Sequence, residues 1–253
     1  IDHFGLAAHR EFSERSKGLT EQLLRSRIAR LPDGCYEAVD FIEYDGHGAE
    51  ELLEVRCQLT IAGDRLDFAF SGAPQIDAFV NGTAGSVYGN TMTMLLTTLG
   101  YGDLPFNAGM WRPLSIDLGR PGTVVNSIPP APVSLGHGEA GIRVGKTVKA
   151  VLNQALSLSD DPQLRSRVAG MAGDACIAAG LFGMTDSGDH TVIIYQDSLT
   201  GVGGGAQSVT DGQDAYGATM MAGCGLPDVE THEASDPVVF LWRRIPLNNG
   251  GPG

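Results

Sequence analysis

The stretch Leu52–Phe70, LLEVRCQLTIAGDRLDFAF, decides how this 253-residue sequence is read. Apolar residues alternate with polar ones through Val55, Cys57, Leu59 and Ile61, and again through Leu66, Phe68 and Phe70. Successive side chains of a strand point to opposite faces, so the alternation predicts two strands, Leu52–Ile61 and Arg65–Phe70, with one face buried. Ala62-Gly63-Asp64 between them is a hairpin signal. Upstream, Cys35–Tyr44 is rich in β-formers and stops at Asp45-Gly46. Together these runs predict an antiparallel meander over residues 35–71.

Helical spacing lies on both sides of the meander. Leu19, Leu23, Leu24, Ile28 and Leu31 recur at three and four residues and predict a helix within 6–31. Gly18 is expected to interrupt it, with Thr20 as a fresh N-cap. Leu31-Pro32-Asp33-Gly34 stops it, because proline disfavours helix in its predecessor and Asp-Gly favours a turn. Met92, Leu95, Leu96 and Leu99 predict a second helix over 84–99, ended by Gly100 and Gly102, with the methionines as core filler. Prolines concentrate in 103–136 and predict a rigid, extended segment. Val144, Val148, Val151, Leu152 and Ala155 predict a helix over 143–157, closed by Asp160-Asp161-Pro162, with a further helix to about Gly170. Thr191–Gln196 and Val238–Ile245 read as strands, and Gly201–Ala206 as a flexible loop. The fold class expected is α+β: a meander near the start, a Pro/Gly-rich middle, then further helices and strands. A soft boundary in the glycine-rich run beginning at Gly136 divides 1–136 from 137–253.

Composition is that of a globular chain, 42% hydrophobic and 19% charged. The net charge of −13 is uneven. Residues 1–30 carry six basic and four acidic side chains, +2, leaving −15 for the remainder, which would repel a phosphate backbone. Nucleic acid is therefore excluded as a partner of the main body. No apolar run approaches the roughly 18 residues needed to span a bilayer, and no signal peptide is present, so no membrane partner is expected. The four cysteines, Cys35, Cys57, Cys176 and Cys224, form no CxxC pair. They read as reduced thiols of a cytoplasmic protein. A start at Ile1 and an end in Asn-Asn-Gly-Gly-Pro-Gly lead us to expect a split, processed or partly ordered polypeptide.

Nucleotide binding by this chain is not expected. Gly201-Val202-Gly203-Gly204-Gly205-Ala206 lacks the Lys-Ser or Lys-Thr of a phosphate loop, and before Gly145-Lys146-Thr147 the first glycine such a loop needs is replaced by Ala140. No metal site is expected either. His137 with Glu139 is too sparse, and Asp228, Glu230, His232 and Glu233 lack HExxH spacing. No GxSxG elbow supports a hydrolase triad, and no catalytic residue is identified. Asn81, Asn107 and Asn126 each lie within a few residues of glycine or proline in apolar surroundings. Each either caps a turn or lines a cleft where it orients a substrate carbonyl or amide. Asn81, Asn107 and His137 are taken as the substrate-site candidates.

In order, the motifs resemble the hydantoinase B/oxoprolinase family. The series begins Leu31-Pro32-Asp33-Gly34-x-Tyr36, Asp67-Phe68-x-x-Ser71-Gly72 and Asn81. It continues with Pro105-x-Asn107-x-Gly109-x-x-Arg112-Pro113, Pro121-Gly122-Thr123-Val124-Val125-Asn126 and Pro129-Pro130-Ala131-Pro132. It closes with Gly203-Gly204-Gly205-Ala206, Asp211-Gly212, Pro227-x-x-Glu230-x-x-Glu233 and Gly250-Gly251-Pro252-Gly253. The resemblance implies a subunit working beside a hydantoinase A-type subunit that binds ATP, with further subunits in a hetero-oligomer and a small-molecule substrate. It implies either carboxylation of a ketone with bicarbonate, slightly preferred here, or ATP-dependent hydrolysis of a cyclic amide such as a hydantoin, 5-oxoproline or lactam. A non-catalytic scaffold subunit is the third reading. Family members are longer, and their Gly-Thr-His-x-x-Asp-type metal motif is absent here. The chain therefore resembles the middle and later portion of such a subunit, with any divalent metal held elsewhere in the complex.

Overall fold

The computed structural model describes residues 4–43, 48, 51–100, 102–134, 136, 138–170, 178–184, 187–196, 204–212, 228–235, 238–242 and 244. The decisive hairpin forms as expected. β2 (Leu53–Ala62) pairs antiparallel with β3 (Arg65–Gly72), Ala62 facing Arg65 across a two-residue turn. Gly63 takes φ +59° there, and its amide donates to Asp33 Oδ1 at 2.8 Å. Few residues other than glycine accept that conformation. β1 (Gly34–Ile42) pairs antiparallel with the other edge of β2. β4 (Leu114–Asp117) joins β3 in parallel, giving the order β1-β2-β3-β4. A parallel neighbour needs a long crossover. Here it contains α2 (Ala84–Leu99) and a 3-10 turn (Ala108–Trp111).

One face of the sheet is apolar. Val55, Cys57, Leu59, Ile61, Leu66, Phe68 and Phe70 are buried, while their alternating neighbours such as Thr60, Arg65 and Asp67 are exposed. α3 (Ala140–Ser157) packs against β1, β2 and α2, and thirteen of its eighteen residues are buried, so it is the central helix. α1 (Gly5–Ile28) packs chiefly on the 3-10 turn. Contrary to expectation, α1 is not interrupted at Gly18, and Thr20 is not a cap. Thr20 is buried mid-helix, where its hydroxyl reaches the carbonyls of Ser16 (3.1 Å) and Pro105 (3.3 Å). Glycine costs a helix interior only about 1 kcal/mol, too little by itself to break a docked helix.

The chain divides into two compact units, Ile1–Val168 and Ala169–Gly253. α3, which begins just after the boundary expected at residue 136, lies in the first unit. α4 (Pro162–Arg165) is one short turn, capped by Asp161 Oδ1 on the Gln163 amide (2.8 Å), and does not extend to Gly170. In the second unit, β5 (Ala178–Met184) and β6 (His190–Gln196) form an antiparallel hairpin, and α5 (Val229–Ser235) follows. The strand expected over Val238–Ile245 does not form at its described residues. The Phe240 amide is instead tied back to Glu233 Oε1 at 2.6 Å. Cys176, Cys224 and Gly201–Gly203 lie outside the described residues. The described fold is α+β.

Candidate functional site

The Asn/Pro/Gly cluster folds into a platform on which α2 and α3 begin. Two loops, 73–82 and 119–136, are zipped by backbone bonds: Val124 N to Ala73 O (2.9 Å), Gln75 N to Gly122 O (3.0 Å) and Gly82 N to Val124 O (2.6 Å). Gln75 adds its own amide to both sides of Ile128, and Ser127 Oγ donates to Gly82 O at 2.7 Å. Asn81 is the pin. It is fully buried, and its Oδ1 accepts from Ile76 N at 3.0 Å. Its Nδ2 donates to Ile76 O (2.8 Å), Ala78 O (2.7 Å) and Pro132 O (2.8 Å). An amide has two donor hydrogens, so both donors of Asn81 are engaged by main-chain carbonyls.

Close approach is enforced by glycines. A Cβ on Gly136 would run into the Asn81 carbonyl, and one on Gly82 would stand 3.0 Å from Ala140 Cβ, Ser86 Oγ and Val124 O. Gly141 leaves room for Asn90, whose Nδ2 would be 2.7 Å from a Cβ there. Asn90 also faces Gly145, and further along Thr98 meets Lys149, so α2 and α3 run parallel with both N-termini at the platform. Neither first turn holds an acidic side chain. Ser86 instead closes α2, accepting from Thr83 N (2.9 Å) and donating to Thr83 O (2.7 Å). The Gly141 amide of α3 is met by Gly136 O at 2.8 Å. His137 lies outside the described residues, between the buried Gly136 and Gly138. The carboxylates at the platform edge are those of Asp77, between two Asn81 partners, and Glu139, the residue before α3. Sequence reading passed over Asp77, which no motif flags.

Asn107 belongs to a different assembly. Its Oδ1 accepts from Gly109 N at 2.8 Å, capping the 3-10 turn. Its Nδ2 donates to Thr20 Oγ1 at 2.8 Å, with Ser16 Oγ at 3.3 Å. Arg112 reaches Glu14 (2.9 Å) and Glu21 (3.2 Å), and a Cβ on Gly109 would strike the Lys17 carbonyl. Every named residue of Pro105-x-Asn107-x-Gly109-x-x-Arg112 thus grips α1. Lys17 and Arg112 hold the Glu14 carboxyl below its ordinary range, and Arg25 and Arg112 do the same for Glu21. Asn126 also serves a turn, donating to Gly119 O at 3.1 Å.

The far end of α2 is held by cations from other elements. Arg27 of α1, 7% exposed, donates to Leu99 O (2.7 Å) and Gly100 O (2.6 Å), and pairs with Asp103 at 2.6 Å. A guanidinium there satisfies orphan carbonyls and faces the negative pole of the helix. Arg27→Met should lower unfolding free energy by about 3 kcal/mol in urea titration, since the carbonyls lose buried partners. A loss under about 1 kcal/mol would show that the cap is redundant. Burial pushes the Cys57 thiol far above its ordinary value, so Cys57 is inert core. Among the described residues, no group of three or more His, Cys, Asp or Glu could hold a metal ion, and no helix is long and apolar enough to cross a membrane.

What the platform offers chemically is fixed backbone geometry and two converging helix N-termini, flanked by loop-borne titratable groups. Comparisons with known proteins place the chain in a family. The beta subunit of caprolactamase from Pseudomonas jessenii is 27% identical over 257 residues, covering 100% of this chain and 42% of the relative. The B-type subunit of a putative D-/L-hydantoinase from Pseudomonas sp. (strain NS671) is 27% identical over 265 residues, again covering 100% and 42%. The crystal structure of ATP-dependent caprolactamase from Pseudomonas jessenii superposes with a TM-score of 0.77 at 26% identity, covering 93% of this chain and 39% of that one. The chain thus spans less than half the length of the relatives it matches. The sequence profile of Hydantoinase B/oxoprolinase matches residues 1–253, and the chain belongs to that family.

Proposed function

We propose that this chain is part of a subunit of an ATP-dependent enzyme that hydrolyses a cyclic amide, a lactam or hydantoin, in company with a nucleotide-binding A-type subunit. The observation that carries the reading is the match over the whole chain to a caprolactamase beta subunit, in sequence and in fold. The hydantoinase relative supports a ring amide as the common substrate class. Sequence alone leans towards a ketone carboxylase, but neither relative bears that name, and the amide reading is the better supported. The absence of a phosphate-loop pattern supports ATP binding on the partner. ATP suits the chemistry, because an amide carbonyl is a poor electrophile and phosphoryl transfer to it creates a good leaving group. Engagement of both amide groups by the protein's own backbone and side chains supports a framework role for Asn81 and Asn107, with the reacting groups on other residues or on the partner.

The test takes the intact protein with its partner and supplies a lactam, a hydantoin, 5-oxoproline and acetone, each with ATP and radiolabelled bicarbonate. Ring opening coupled to ADP release, with no label fixed, is the expected result. Ketone-dependent fixation of label would overturn the reading in favour of a carboxylase.

A further inference from the structure

The seam between α2 and α3 contains a cation without a counter-charge among the described residues. Lys149 of α3 is 8% exposed. Among the described residues its ammonium makes one hydrogen bond, to Thr98 Oγ1 at 3.2 Å, and no ion pair. An ammonium carries three donors, and burying one without a counter-charge is costly. α2 contributes no charged side chain at all. On β1, Asp40 is turned towards Arg143, 3.8 Å away, and Glu37 accepts from Gln58 Nε2 at 2.7 Å. On β2, Glu54 and Arg56 pair with each other. At the C-terminal end of α2, Arg27 is spent on Asp103 and two carbonyls. Arg165 of α4 donates to Ser159 O. None of these charges offsets Lys149, and burial alone pushes its amine down to about 8. The same helix pair also holds Asn90 Oδ1, a buried acceptor without a hydrogen-bond partner.

We infer that the α2–α3 seam is a proton-linked element, closed most firmly when Lys149 is neutral and opening with uptake of a proton onto its amine. In the opened form the amine is in water and titrates at its ordinary value of 10.5. The opened form therefore binds more protons between about 8 and 10.5, and raising pH through that window favours closure. Below it the full penalty applies. From pH 7 to pH 9 the opening equilibrium should fall about tenfold. Both helices start on the Asn81 platform, so the seam sets how firmly the platform is held.

Hydrogen exchange of the intact protein, corrected for intrinsic rates, reads this directly. Wild-type amides of α2 and α3 should gain about tenfold protection between pH 7 and 9. Lys149→Met should already be better protected than wild type at pH 7 and show no gain. Lys149→Gln, which keeps a donor for Thr98, serves if the methionine variant does not fold. A wild-type seam without the gain, or a neutral variant with the same gain, would overturn the inference.

Discussion

Asn81→Ala should cost about 4 kcal/mol of unfolding free energy, because four buried or half-buried main-chain groups lose their partner at once and each orphaned group costs about 1–3 kcal/mol when water does not replace it. Those groups are Ile76 N, Ile76 O, Ala78 O and Pro132 O. Part of the sum returns through relaxation and water entry. Asn81→Asp is the sharper variant. It keeps an acceptor for Ile76 N but sets a carboxylate against three carbonyl oxygens, so it should be at least as damaging. Urea midpoints measure both. The opposite outcome, stability within about 1 kcal/mol of wild type together with a large loss of kcat, would return Asn81 to the substrate.

Gly109→Ala should be as severe, above about 4 kcal/mol, for a steric reason. The new Cβ meets the Lys17 carbonyl, which belongs to the backbone of α1, and stands 2.9 Å from Asn107 Oδ1. Neither neighbour can yield without lifting α1 from the 3-10 turn. Alanine at Gly89 is the control, since a Cβ there meets nothing within 4 Å. A helix interior gains from losing glycine, so Gly89→Ala should be neutral or stabilising by about 0.5–1 kcal/mol. Urea unfolding separates the pair, and similar behaviour of both would mean that α1 is not clamped as described.

These two sites show where sequence was legible and where it was not. Periodicity is a local signal, and it placed the β2–β3 hairpin, α2 and α3 close to their observed bounds. Asparagine chemistry is not local here. Asn81 bonds Pro132, fifty-one residues away, and Asn107 bonds Thr20, eighty-seven away. A single sequence offers the turn and the cleft as alternative readings of each residue, and these long-range bonds are not visible in it. Thr20 misled because its hydroxyl serves Ser16 and the distant Pro105, and no cap is needed. β5 escaped notice because Gly180 and Gly183 dilute its β-forming residues. The motif order did identify the family, while its residues turned out to hold loops and α1 in place.

The proposed function places this chain in an amide-opening enzyme whose ATP is turned over only with a second subunit. The direct measurement is ADP release by the intact protein with a lactam or hydantoin, alone and after addition of its partner. No turnover alone is expected, and ring-dependent ADP release, matched to ring opening, once the partner is present. Ring opening by this protein without partner or ATP would contradict it.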